Sequence, residues 1–228
     1  MAEQEIKDSE VRAYKKHSVA IRWTHWINFP LITLMIMSGF MIYWANRVYT
    51  PFIPNEFYQK IHLAYKLAWG LGIHFFFMWL FCLNGLIYVA YLIWSKEWRL
   101  LLPNLASLKE AIQVTLYDFG LRKNLPAQGK FNAGQKIAYS SMIALAFAQI
   151  LTGLAIYKPV QLQFLTSVFG GYETARLFHF IVTILFCLFF LVHIFQVARA
   201  GWNNFRSMIT GTEEITEDEV QRAQGIKK

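Results

Sequence analysis

Charge is what this sequence has least of. Only 16% of its 228 residues are Asp, Glu, Lys or Arg, against about 25% in an ordinary soluble domain, while 56% are hydrophobic and 17% aromatic. That shortfall points away from a water-soluble domain and towards a membrane protein. Cysteine is nearly absent: Cys82 and Cys187 each stand inside an apolar run, where a thiol behaves as a small buried hydrophobe rather than half of a disulfide or redox pair. The first ten residues, MAEQEIKDSE, have no apolar core. No cleavable signal peptide is therefore expected, and the first apolar run would itself direct insertion. Asp and Glu are missing from the four longest apolar runs, roughly 23–45, 67–94, 131–157 and 174–198. Cation and metal transporters commonly need carboxylates along the path or helices broken at mid-membrane, so a transporter is disfavoured. A hydrolase is disfavoured too, because no nucleophile and base converge in the pattern.

What is present is length. Each of the four runs reaches the roughly 20 apolar residues that a helix needs to cross the hydrocarbon core, and the second exceeds it, which suits a tilted or protruding helix. Pro51 and Pro54 mark a turn between the first two runs, and Gly170-Gly171 marks another before the fourth. Between the second and third runs, Leu105, Leu108, Ile112, Leu116 and Phe119 recur at helical spacing. They predict an amphipathic helix on the membrane surface, with Ser107 and Glu110 as its capping box. The tail from Gly211 onward reads as a short helix or as disordered, and no internal repeat is visible. The expected fold is an all-α integral membrane protein: a four-transmembrane-helix bundle with a cytoplasmic amphipathic surface helix between helices 2 and 3. Residues 1–16 form a cytoplasmic N-terminal segment, 17–210 the transmembrane domain and 211–228 a cytoplasmic tail. The orientation follows from the basic residues. Of the 22 Lys and Arg, all but Arg47, Lys60, Lys66, Lys158 and Arg176 fall on the side of the termini and the long loop, and the positive-inside rule assigns that side to the cytoplasm. This distribution accounts for the net charge of +8 without a nucleic-acid partner.

The histidines are the anomaly. The run HFIVTILFCLFFLVH is closed by His179 and His193, and an ionisable side chain inside a membrane is costly and usually functional. Fourteen residues of helix advance about 21 Å and return to within about 40° of the starting face, so the two lie on one face near opposite membrane boundaries. Counted from the cytoplasmic ends of their helices, Arg199 and Trp94, His179 and His74 both lie 20 residues in. His193 lies 6 residues in, and His25 lies 3 beyond Arg22. Depth thus pairs His25 with His193 on the cytoplasmic side and His74 with His179 on the periplasmic side. Two histidines facing each other from helices of a bundle are the frame for a bis-imidazole haem, whose filled axial positions suit electron transfer. Arg22, Lys136 and Arg199 on the inner side, and Lys158 and Arg176 on the outer, are candidate propionate partners or else snorkelling boundary residues. His62 would lie outside the hydrocarbon and has no ligand role.

Several motifs carry a resemblance. Arg22-Trp-Thr-His25-Trp26 resembles the Arg-x-x-His-Trp start of the bacterial di-haem cytochrome b subunits, the cytochrome b561-like subunits of formate dehydrogenases, Ni-Fe hydrogenases and thiosulfate reductases. HFFFMWLFCLNGLIYVAY, from His74 to Tyr91, resembles the second helix of the b/b6-domain branch, and KFNAGQKIAY, from Lys130 to Tyr139, the start of the third helix of formate dehydrogenase gamma subunits. With the fourteen-residue histidine spacing and Ser207-Met-Ile-Thr-Gly211, the resemblance covers about residues 17 to 212. It implies two haem b groups on His25, His74, His179 and His193, and a quinone pocket bordered by Asn132, Gln135 and Lys136. It implies an electron-transfer subunit in a bacterial inner membrane, relaying electrons between quinone and a periplasmic or membrane-attached redox subunit, a hydrogenase-type or molybdopterin enzyme. The gap before His74 is longer than in the formate dehydrogenase pattern, which favours a molybdopterin partner of the sulfite-oxidase or thiosulfate-reductase kind. The alternative is a stand-alone superoxide:quinone oxidoreductase. No catalytic side chain is assigned.

Overall fold

The computed structural model describes residues 11–45, 55–60, 62, 66–118, 120–123, 131 and 133–216. Four of its helices are long and apolar enough to cross a membrane: α1 (Val19–Ala45), α3 (Leu67–Ser95), α6 (Ala133–Tyr157) and α8 (Tyr172–Thr210). Shorter helices are α2 (Asn55–Lys60), α4 (Trp98–Leu101), α5 (Leu105–Asp118) and α7 (Gln163–Val168). Much of the sequence is β-branched or aromatic, yet it folds as helices because lipid offers backbone N–H and C=O groups no water, and a helix satisfies them within one segment. The all-α membrane architecture expected from the sequence is the one observed, and the helix ends fall within a few residues of the apolar runs except at the end of α8, which continues past residue 198 to Thr210. Pro51 and Pro54 lie outside the described residues.

The chain divides into two compact units, residues 19–91 and residues 1–18 with 92–228. In the first, α1 packs on α3. Thr24, Leu31 and Ser38, seven residues apart, are buried on α1 together with Met41 and Trp44, and Gly70 lets the α3 backbone come close to Met41 and Ile42. Close approach through a small residue, joined by a polar contact between helices, is how apolar helices associate without a hydrophobic driving force. The polar contact here is the buried Asn84, whose Nδ2 donates to the Thr24 carbonyl at 3.0 Å. Asn84→Leu keeps the number and branching of the side-chain heavy atoms and removes the donor. It is expected to weaken α1–α3 packing by about 0.6–1.7 kcal/mol, seen as a lowered thermal midpoint in detergent.

In the second unit α6 packs on α8, with Ala155 and Ala175 fully buried. Thr166 of α7 donates to the Ala155 carbonyl at 3.0 Å and ties the connecting segment to the end of α6. Gly170 and Gly171 have φ of 79° and 101°, backbone that only glycine adopts readily, and they make the predicted turn into α8. Helix α8 is broken at Gly201 (φ 81°, ψ 175°) and ends on left-handed Gly211.

Two sequence expectations are corrected in this unit. The capping box of α5 is not Ser107 with Glu110. The helix begins at Leu105 and its cap is Asn104, which accepts from the Ser107 N–H at 2.9 Å while Ser107 Oγ accepts from the Asn104 N–H at 3.0 Å. Asparagine caps as well as serine does, and Pro103 holds Leu102 extended (ψ 122°) just before it. The described residues after Gly211 form neither a short helix nor a disordered tail, and residues 217–228 of that expectation lie outside the described residues. Thr212–Thr216 (β2) pairs antiparallel with Val11–Lys15 (β1), Lys15 opposite Thr212. Lys16 Nζ bonds Asn204 at 2.7 Å and Glu213 at 2.9 Å, and Arg206 pairs with Glu214. On α5 itself, Leu105, Leu108, Ile112 and Leu116 form an exposed apolar stripe. That stripe suits a lipid surface; Ser107 and Val114 are buried, and α5 packs on α6. Phe119 lies outside the described residues.

Candidate cofactor site

Each of the four expected ligand histidines, His25, His74, His179 and His193, sits on a spanning helix. His25 lies in the second turn of α1, half-buried, with Trp26 edge-on at 5.2 Å between ring centroids; Arg22 lies one turn earlier on the same helix. His193 stacks on Phe189, 6.0 Å and 8° from parallel. No break interrupts α8 between His179 and His193, since its one non-helical residue is Gly201. Gln135 and Lys136 occupy the first turn of α6, while Asn132 lies outside the described residues. His62 stands exposed in a turn with φ of 57°, its N–H donating to the Gln59 carbonyl. That geometry gives it no part in a buried site.

The closest detail surrounds His74 and His179. In the first unit, His74 Nδ1 lies 2.9 Å from Ser38 Oγ. A serine hydroxyl has one proton, and the shorter contact, 2.7 Å to the Leu34 carbonyl, takes it. The hydroxyl oxygen therefore accepts from the imidazole, so Nδ1 carries the proton and Nε2 the lone pair. In the second unit, His179 Nδ1 lies 3.0 Å from Thr152 Oγ1, whose own proton goes to the Ala148 carbonyl at 2.7 Å. The tautomer assigned from this network is the same. An independent contact agrees: His179 Nε2 faces the Gln149 amide nitrogen at 3.1 Å, and an amide N–H needs a lone pair there. Gln149 also donates to Thr183 at 3.0 Å, and the Thr183 hydroxyl donates to the His179 carbonyl at 2.9 Å.

Glycine completes each arrangement. A Cβ on Gly39, next to Ser38, would reach His74 Cε1 at 3.7 Å; one on Gly153, next to Thr152, would reach His179 Cε1 at 3.2 Å. Each unit thus holds a histidine ring edge against a glycine, tethers its Nδ1 through the preceding hydroxyl and presents a basic Nε2. Sequence reading finds no repeat, yet the two units build one local motif twice. It escapes notice because hydroxyl and histidine are 36 residues apart in one unit and 27 in the other. Ser38, Gly39, Gln149, Thr152 and Gly153 are the residues missed. The dipeptides Ser38-Gly39 and Thr152-Gly153, each on the helix before a membrane histidine, were the available signal.

These residues fit a metal-centred group bound through Nε2. Metal-ligating histidines commonly donate their other N–H to a fixed acceptor, as both rings do here. Gln149 offers a further sign: its Oε1 is buried without a hydrogen-bond partner among the described residues, a polar atom beside Nε2 that the protein itself leaves unsatisfied.

Residues 16–211 match the family model described as prokaryotic cytochrome b561. A relative from Azospira oryzae carries the provisional name protein-methionine-sulfoxide reductase subunit YedZ1. It is 37% identical over 187 residues, which are 81% of this chain and 91% of the relative. The chain therefore belongs to the prokaryotic cytochrome b561 family, multi-pass membrane proteins that bind haem b and transfer electrons.

Proposed function

We propose that this chain is a membrane subunit holding two haem b groups, one on His25 and His193 and the other on His74 and His179. In this reading it connects the quinone pool to a separate redox enzyme. The observation that carries the reading is the twice-built arrangement of hydroxyl, glycine and Nε2-basic histidine on His74 and His179. Equal depths, 20 residues from Trp94 and from Arg199 at the inner boundary read from the sequence, favour one shared haem for that pair. The other pair lies near the opposite boundary, one span of α8, about 21 Å, away. Bound haem b supplies reversible one-electron transfer at each position.

The protein's own groups do the rest. Arg22, Lys136 and Arg199 provide cations for carboxylates at the inner boundary, and Lys158 and Arg176 provide them at the outer. Gln135, Lys136 and Asn132 border the quinone pocket at the start of α6, where the Gln135 amide is suited to donate to a quinone carbonyl. Both termini and the 95–130 segment face the cytoplasm of a bacterial inner membrane. The redox partner docks on the periplasmic side. The relative's name describes a subunit of a methionine-sulfoxide reductase, which supports a partner-bound role over a stand-alone superoxide:quinone oxidoreductase. We favour a molybdopterin enzyme that reduces an oxidised sulfur centre.

The test is the absorption spectrum of the purified, dithionite-reduced protein with haem quantified per chain. A b-type spectrum and about two haems are expected. One haem per chain overturns the two-site reading, and none reduces the chain to an anchor.

A further inference from the structure

We infer that Ser38 and Thr152 are positioning residues, acting through His74 and His179 on the redox balance of the haem these two histidines hold. The inference rests on the ligand pairing proposed above and goes beyond it by assigning a role to two hydroxyls outside the ligand set. Serine and threonine in membrane helices commonly fold their hydroxyl back onto their own helix. Ser38 and Thr152 do so, at 2.7 Å in both cases. That back-bond uses the hydroxyl proton and turns the oxygen into a pure acceptor, aimed at the histidine of the next spanning helix in its own unit. Both residues are almost completely buried, Ser38 at 0% and Thr152 at 1% exposure, so water does not substitute for them.

Two consequences follow for the imidazoles. Their tautomer is fixed with Nε2 basic, and their Nδ1–H is polarised towards an acceptor, which makes the ring a better electron donor to a bound metal. A better donor favours the oxidised metal. Removing the acceptor therefore raises the midpoint potential of that haem. The ring also loses one of the contacts that hold its rotation, while the flanking glycine stays in place, at 3.7 Å from His74 and 3.2 Å from His179 for an added Cβ.

The variants are Ser38→Ala and Thr152→Val, with Ser38→Thr and Thr152→Ser as versions that keep the hydroxyl. Each is purified as the full chain in detergent, and its haem content, redox titration and low-spin electron paramagnetic resonance are recorded. In Ser38→Ala and Thr152→Val, both haems are retained. One titrating component, the same in the two variants, shifts to higher potential by up to about tenfold in its reduced-to-oxidised ratio at fixed ambient potential, or about 59 mV for one electron. Its g-values move while those of the second haem stay, and the hydroxyl-retaining variants return both to wild type. Should a hydroxyl-deleting variant lose that haem outright, its recovery in the hydroxyl-retaining variant supports the inference and continued loss overturns it. Two haems with unchanged potentials and g-values overturn the inference while leaving the ligand assignment standing. Shifts falling on different haems in the two variants overturn the pairing of His74 with His179. A wild-type protein without haem overturns the functional reading, and the inference with it.

Discussion

On the proposed pairing, alanine in place of His74 is expected to remove one haem and leave the other, and alanine in place of His179 to remove the same one. Haem content is expected to fall from about two per chain to about one in each variant, and the double variant to fall no further. The reason is geometric. A bis-imidazole site needs both nitrogens, and the two rings are built alike: Nδ1 held by a buried hydroxyl, Cε1 beside a glycine, Nε2 carrying the lone pair. His25→Ala and His193→Ala remove the complementary haem, so the four single variants sort into two spectral classes. Redox titration of each variant identifies the class, because each leaves a single component with its own midpoint. The outcome that sinks the pairing is a His74→Ala, His179→Ala double variant that has lost both haems. Single variants that each lose a different haem sink it equally. His62→Ala, at an exposed turn, belongs to neither class and keeps both haems.

How much of this was legible in the sequence depends on how local the determining physics is. The four spans were legible because lipid imposes a length and a composition on each helix separately, and α5 was legible because its apolar positions repeat within one helix. The membrane histidines stood out because their cost is a property of single residues. What stayed hidden depends on partners far apart in the chain. Val11–Lys15 and Thr212–Thr216 are five residues each, too short for a period to announce a strand; each is one only because the other lies beside it. The cap of α5 was misplaced by three residues because Asn104 and Ser107 are both good N-cap residues, and only the backbone shows which one stands outside the helix. Ser38 and Thr152 are hydroxyls that their own helices can satisfy, so neither stands out in an apolar run. Their second contact, to a histidine 36 or 27 residues away, reflects how α1 meets α3 and how α6 meets α8. A helix period carries no information about that meeting. The break at Gly201 was equally silent, since one glycine in a helical run is compatible with an unbroken helix.

The second large effect is expected at Gly70. Of the three glycines of α3 it is the one whose added Cβ would meet α1: a methyl there would lie 3.0 Å from Met41 Cβ, 3.2 Å from Ile42 Cγ1 and 3.3 Å from the Ile42 backbone nitrogen. Ile42 Cγ1 can yield by a change of rotamer, but Met41 Cβ and the Ile42 nitrogen are fixed to the main chain and yield only if the helices separate. Gly70 also lies four residues before His74, on the same face of α3, so any separation there carries the imidazole away from Ser38. Gly70→Leu is therefore expected to act twice. Overpacking costs about 1–3 kcal/mol of stability, read as a lowered thermal midpoint, and the haem that depends on His74 is lost while the other remains. Gly70→Ala produces the same pattern with a smaller loss. The control is two residues along: a Cβ on Gly72 meets nothing within 4 Å, and Gly72→Ala exchanges a poor helix former for a good one, so it is expected to keep both haems with a midpoint at or above that of the wild type. Haem loss in Gly72→Ala equal to that in Gly70→Leu would mean that α3 is sensitive to any added bulk rather than to its approach to α1. A Gly70→Leu protein with two haems and an unchanged midpoint would mean that α1 and α3 do not meet at that point.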